Sequence, residues 1–150
     1  MQPVLHATLV FEREISAAPK AVFAALAEPA ARAQWGAPSD TAVIIYDAAD
    51  FREGGEDRFR CGPKASPNIH GVTHYLYIAP ECRVISSETL VVGGTRLCVS
   101  MTTLELTPDG SKTKLKNTTQ LASFIGEDMV KGYTTGTHAS LDGLMGFFLK

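Results

Sequence analysis

The chemically suggestive residues cluster near the end of the chain. From Glu127 to Lys150 the apolar positions Met129, Tyr133, Leu141, Leu144 and Phe148 recur three, four or eight residues apart. At about 100° per residue, Thr137 and Ser140 fall on the same helical stripe. Tyr133, Thr137 and Ser140 thus put hydroxyls where a closed core would put hydrocarbon. A buried hydroxyl without a partner costs about 1–3 kcal/mol. A hydrated or ligand-filled cavity would satisfy these groups, and so would bonds back to the preceding helical turn. Acid–base chemistry has two candidates, Tyr133 and Glu88. Glu88 sits in a strand pattern and can equally face solvent.

Other chemistries find little support. His70 and His74 are four residues apart. On a helix that spacing suits zinc, but on a strand it separates them by about 13 Å at roughly 3.3 Å per residue. No metal is expected. HExxH, P-loop, GxSxG and GxGxxG patterns are absent. Gly54-Gly55 and Gly93-Gly94 precede strand patterns, which argues against a phosphate cradle at a helix start. No cofactor is expected. Cys61, Cys82 and Cys98 lack metal spacing and read as reduced, buried thiols. His138 lies about 100° or more off the stripe, on the solvent side.

The 150 residues suffice for one domain with a sizeable core. Fourteen basic and 16 acidic residues nearly cancel, leaving a net charge of −2. That balance argues against nucleic acid or an anionic membrane as partner. No apolar run approaches the length of a membrane span, so no membrane insertion is expected. Met1 to Val10 lacks a basic start followed by an apolar stretch, and the expected location is the cytoplasm.

The positioning elements follow from period and punctuation. Leu5 to Ile15 alternates and reads as a strand, with Leu5, Ala7 and Leu9 on one face. Pro19 suits a first helical turn, and Val22, Phe23 and Leu26 share one side. Pro29 ends that helix and starts a second through Gln34. Strand patterns follow at 41–47, 57–61, 69–78, 82–92, 95–106 and 112–121, separated by Gly and Pro turns. Gly93-Gly94 marks a tight hairpin. In Thr95 to Leu106 the apolar set shifts from Leu97, Val99 and Met101 to Leu104 and Leu106, which predicts a β-bulge there. Gly132, Gly136 and Gly143 line one side of the last helix, a thin face suited to close approach to a sheet. Short turns between consecutive strands predict an antiparallel sheet, curved around one long helix in an α+β fold.

Several segments also resemble a known family. The run Ala18 to Pro29 carries an apolar-Pro-x-x-Val-Phe-x-Ala-Leu-x-x-Pro pattern, and Trp35-Gly36-Ala37-Pro38 follows it. Phe51-Arg52-Glu53-Gly54-Gly55 precedes Phe59-Arg60, with Glu53 where the pattern has Pro. His70-Gly71-Val72, Ala79-Pro80-Glu81-Cys82-Arg83-Val84 and Gly94-Thr95-Arg96-Leu97 come next. The tail from Gly136 to Leu144 matches Gly-Trp-x-x-x-Leu-Asp-x-Leu, except that Thr137 stands in place of Trp. Together these resemble the SRPBCC superfamily, with its START-like, birch-pollen-allergen-like helix-grip fold. Within it they are most similar to the AHSA-type family, named for an activator of a heat-shock protein ATPase.

The resemblance implies one helix-grip domain over the whole chain. It implies about six or seven strands around a long C-terminal helix, with two short helices after the first strand. It also implies a cavity between sheet and helix that holds a small apolar or amphipathic molecule. The expected lining is Trp35, Val99, Met101, Met129, Tyr133, Thr137, Ser140, Leu141 and Leu144. Trp35 fits either the cavity mouth or ordinary core packing. Two alternative functions accompany this one. One is an enzyme of the polyketide cyclase, dehydratase or hydrolase type using the same cavity. The other is a cochaperone-like ATPase activator, whose eukaryotic forms carry an additional domain that this chain has no room for. An exposed strand edge would permit a homodimer.

Overall fold

The computed structural model describes residues 2–149. Strand β1 (Leu5–Ile15) leads into helices α1 (Pro19–Ala27) and α2 (Pro29–Trp35). Six strands follow: β2 (Ala42–Ala48), β3 (Glu56–Pro63), β4 (Ile69–Ala79), β5 (Arg83–Val92), β6 (Thr95–Asp109) and β7 (Lys112–Ser123). Helix α3 (Glu127–Phe147) closes the chain. All seven strands form one antiparallel sheet in the order β1-β7-β6-β5-β4-β3-β2. This is the helix-grip architecture that the sequence implies.

Local chemistry explains the joints. Pro19 and Pro29 occupy the first turns of α1 and α2, where a missing N–H costs nothing. Gly93 and Gly94 both take positive φ, 55° and 78°, in the β5–β6 hairpin. Glu127 and Asp128 place negative charge in the first turn of α3. Lys150, expected at the far end of that helix, lies outside the described residues.

Two expectations are corrected. The bulge in β6 falls at Leu97, because Leu90 opposes Cys98 while Val91 opposes Arg96. Beyond it Cys98, Ser100, Thr102, Leu104 and Leu106 keep one phase toward the helix side. The apparent slip arises because the inward set is partly hydroxylic while Val99 and Met101 point outward. The thin face of α3 also meets a helix and not the sheet. A side chain at Gly143 would strike the Trp35 carbonyl at the end of α2, whereas Gly132 has open space around it.

The core divides in two. Phe11, Ile15, Val22, Leu26, Leu106, Leu115, Leu141 and Leu144 pack α1 and the last half of α3 onto β1, β6 and β7. Phe59, Leu90, Cys98 and Leu121 form a second cluster, reached by Met129 and Tyr133 from the first half of α3. Gly71 of β4 carries no side chain because the Phe59 ring lies flat against its backbone. A buried ion pair ties α2 to β3. Arg32 donates to Asp57 at 2.9 Å and to the carbonyls of Leu26 and Ala27 at 2.8 and 2.9 Å. Tyr75 also donates to Asp57, and the Arg32 guanidinium lies 4.6 Å from the Tyr46 ring centre.

Candidate functional site: a cavity between sheet and helix

Between the two apolar clusters lies a cavity of about 320 Å³. Its walls come from α2 and the following turn (Trp35, Gly36, Pro38), from α3 (Met129, Tyr133, Thr137, Ser140, Leu141) and from the concave sheet. Ile44, Phe59, Ile69, Leu90, Leu104 and Leu115 supply hydrocarbon. Ser86, Glu88, Thr102 and Asn117 supply polar groups from the middle of the sheet. The volume is at the lower end for small-molecule sites. At about 30 Å³ per water it would otherwise hold on the order of ten waters.

Strand alternation sets the polar groups in rows. Glu88 of β5 sits between Thr73 of β4 and Ser100 of β6. Ser86 sits between Tyr75 and Thr102, and Thr102 opposes Thr119 of β7. The Tyr133 hydroxyl descends from α3 and donates to Glu88 Oε1 at 3.1 Å. With its proton committed there, it accepts from Ser100 Oγ at 3.1 Å. Thr73 bonds to the same carboxyl group. A second chain runs from Thr102 to Thr119 at 3.0 Å and from Thr119 to Asn117 Oδ1 at 2.7 Å.

Burial governs the electrostatics. Desolvation raises the Glu88 carboxyl above its usual range, partly offset by the hydroxyls of Tyr133 and Thr73. The Tyr133 phenol is held well above its ordinary value by burial and by the nearby Glu88 charge. Burial pushes the Cys61 thiol, at the cavity wall, up to about 11. A carboxyl and a phenol 3.1 Å apart on the wall of a largely apolar cavity can bind and orient a polar group.

Of the residues expected to line the cavity, Trp35, Met129, Tyr133, Thr137, Ser140 and Leu141 do so. Trp35 forms cavity wall, packs against the first apolar cluster, and donates its indole N–H to the Ala25 carbonyl at 3.0 Å. Ser140 bonds across to the Gly36 carbonyl at 2.7 Å, not to its own helix. Three residues are corrected. Val99 and Met101 lie on the convex face, opposite in phase to Ser100, and Met101 is 39% exposed. Leu144 is fully buried in the apolar cluster beyond the cavity.

Glu88 faces the cavity, not solvent. Ser86, Thr102 and Asn117 are unanticipated lining residues. Their signal was an alternation shared with apolar neighbours: Val84, Ser86, Glu88 and Leu90 in β5, and Cys98 through Leu106 in β6. His138 is exposed, but its Nδ1 accepts from Arg13 at 2.8 Å and its ring meets the edge of Phe11. Cys82 is exposed in the β4–β5 turn, against the expectation of a buried thiol, whereas Cys98 is buried.

A wider surface depression of about 660 Å³ lies on the outer side of Trp35, between Ser39–Val43 and α3. It lacks a comparable hydrogen-bonded polar cluster. Among the described residues no group of three or more His, Cys, Asp or Glu is placed to hold a metal ion. No described helix is long and apolar enough to cross a membrane.

Comparison with known proteins agrees with this architecture. The family described as Activator of Hsp90 ATPase homolog 1-like protein matches residues 16–148. A solved protein from Rhizobium loti is 33% identical over 97% of this chain and 99% of its own, with a TM-score of 0.86. One from Rhizobium leguminosarum is 29% identical over 97% and 96%, with a TM-score of 0.82. One from Chromobacterium violaceum is 25% identical over 94% and 96%, with a TM-score of 0.81. No curated protein matches the sequence.

Proposed function

We propose, from the premise that this chain belongs to the Activator of Hsp90 ATPase homolog 1-like family, that its sheet–helix cavity binds a small apolar or amphipathic molecule. The observation that carries this reading is the composition of the cavity. Hydrocarbon walls flank a band of polar groups that runs from Glu88 and Tyr133 through Ser86 and Thr102 to Asn117. A protein that needed only a stable core would gain more by filling such a space with side chains. A small set of polar groups converging in an apolar pocket fixes the orientation of a ligand.

Native mass spectrometry of the purified full chain, followed by identification of any retained molecule, is the direct test. A bound molecule at one hundred times its Kd adds about 2.7 kcal/mol of stability. For a domain of this size that raises Tm by roughly 5–10 °C. Thr137→Trp places a large ring in the cavity and should abolish the shift while the fold persists. The reading fails if no molecule is retained, a broad set of lipids and aromatics leaves Tm unchanged, and a crystal shows the cavity closed to water.

The Glu88–Tyr133 contact favours a second reading, an enzyme of the cyclase, dehydratase or hydrolase type using the same polar band. Glu88 would hold or accept a proton and Tyr133 would orient a polar group of the substrate. Unchanged turnover in Glu88→Gln and Tyr133→Phe would remove both assignments.

A further inference from the structure

We propose that the cavity selects molecules that carry a protonated amine on an apolar tail, with the ammonium group held by Glu88. This deepens the binding reading above and rests on it. The argument begins with charge. Among the described lining residues there is no Lys, Arg or His, and Glu88 is the one carboxyl. Its neighbours Tyr133 and Thr73 are neutral hydroxyls. A carboxylate has about four acceptor positions, and these two bonds leave others free. Part of its surface stays open to the cavity.

A charge taken from water without a counter-charge is expensive, and an ammonium ion supplies the missing one. It also donates up to three hydrogen bonds, which the free acceptor positions of Glu88 can receive. A carboxylate ligand would meet like charge in a poorly screened site. An alcohol would gain a hydrogen bond and no charge compensation. The tail would lie along the hydrocarbon wall toward Leu104, Leu115 and Leu26.

Binding is therefore linked to the protonation of Glu88. The groups facing it are Thr73 of β4, Cys98 and Ser100 of β6, Tyr133 of α3, Cys61 of β3 and Tyr46 of β2. None of them is a cation. An amine that draws out the ionised form displaces a proton whenever Glu88 starts protonated.

The test compares octylamine, octanol and octanoate by calorimetry on the full chain. Octylamine should bind about tenfold more tightly than octanol, the factor expected of one added charge-assisted contact, with octanoate the weakest. In Glu88→Gln, whose fold is checked by its thermal melt, octylamine should lose its advantage over octanol. Measured over a series of pH values in buffers of different ionisation enthalpy, octylamine binding should release protons from wild type increasingly toward the acid end of the series, and not from Glu88→Gln. If octanol equals or exceeds octylamine, the amine inference is overturned and the cavity-binding reading stands. If the amine advantage survives in Glu88→Gln, the ammonium sits elsewhere and the assignment falls. If none of the three binds, the inference also falls, while the binding reading is decided separately by the retained-molecule measurement.

Discussion

Arg32 of α2 and Asp57 of β3 meet at 2.9 Å with side-chain exposures of only 8% and 2%. This contact ties the second short helix to β3, on one side of the cavity. Asp57 accepts two further bonds, from Tyr75 and from the backbone N–H of Asp50. Arg32 Nε, by contrast, has no hydrogen-bond partner. Removing one partner of a buried pair strands the other charge. Asp57→Ala should therefore lower unfolding free energy by about 3–5 kcal/mol. Replacing both residues with apolar ones of similar size should recover most of that loss. Urea titrations of the single and double variants check both statements. A loss below about 1 kcal/mol for Asp57→Ala would place the pair among weak surface contacts.

Glu88 predicts an unusual pH dependence. Its carboxyl is raised above the ordinary range by burial. The native state then holds its proton to higher pH than the unfolded chain does. The stabilising contribution is complete below the unfolded carboxyl range and is lost as pH rises through the higher native value. Glu88→Gln should flatten the pH profile of stability across that window and leave the ligand-free protein as stable as wild type, or more stable, near neutral pH. Thermal melts from pH 4 to pH 8 read the difference. Each pH unit that separates the native from the unfolded titration of this carboxyl is worth roughly 1.4 kcal/mol. Steeper loss of stability in Glu88→Gln than in wild type would contradict it.

The three thiols should differ sharply in reactivity. Burial pushes Cys61 up to about 11 and Cys98 up to about 12, so both stay protonated near neutral pH. Cys82 lies exposed in its turn. Iodoacetamide should label Cys82 rapidly and Cys61 slowly in the native protein, and reach Cys98 only on unfolding. Mass spectrometry of labelled peptides gives the order. A ligand seated in the cavity should slow labelling of Cys61 further, since that residue forms part of the wall.

Much of this was legible in the residues, and the reasons are local. β1 from Leu5 to Ile15 and the proline-started helices follow from period and punctuation, which need only neighbours in sequence. The stripe of α3 placed Tyr133, Thr137 and Ser140 correctly because helical geometry is fixed over short spans. The sheet side of the cavity was harder. Ser100 and Thr102 occupy inward positions that alternation normally gives to hydrocarbon, so reading β6 by its apolar residues selected Val99 and Met101 on the wrong face. Only the ladder across β5, β6 and β7 shows which phase is inside, and that ladder joins residues far apart in the chain. Leu144 shares the stripe with Leu141 yet lies beyond the cavity, because the crossing of α2 near Gly143 ends the open space there.

The division of the core in two makes α3 a beam held more firmly at its C-terminal end. Its buried residues, Leu141 and Leu144, belong to the C-terminal half. The N-terminal half spans the cavity and rests on Tyr133 and Met129. Protection of its amides should follow the same gradient, with exchange faster over 129–136 than over 140–147. Under the proposed binding function, a molecule in the cavity would brace that half of the helix from beneath and slow its exchange.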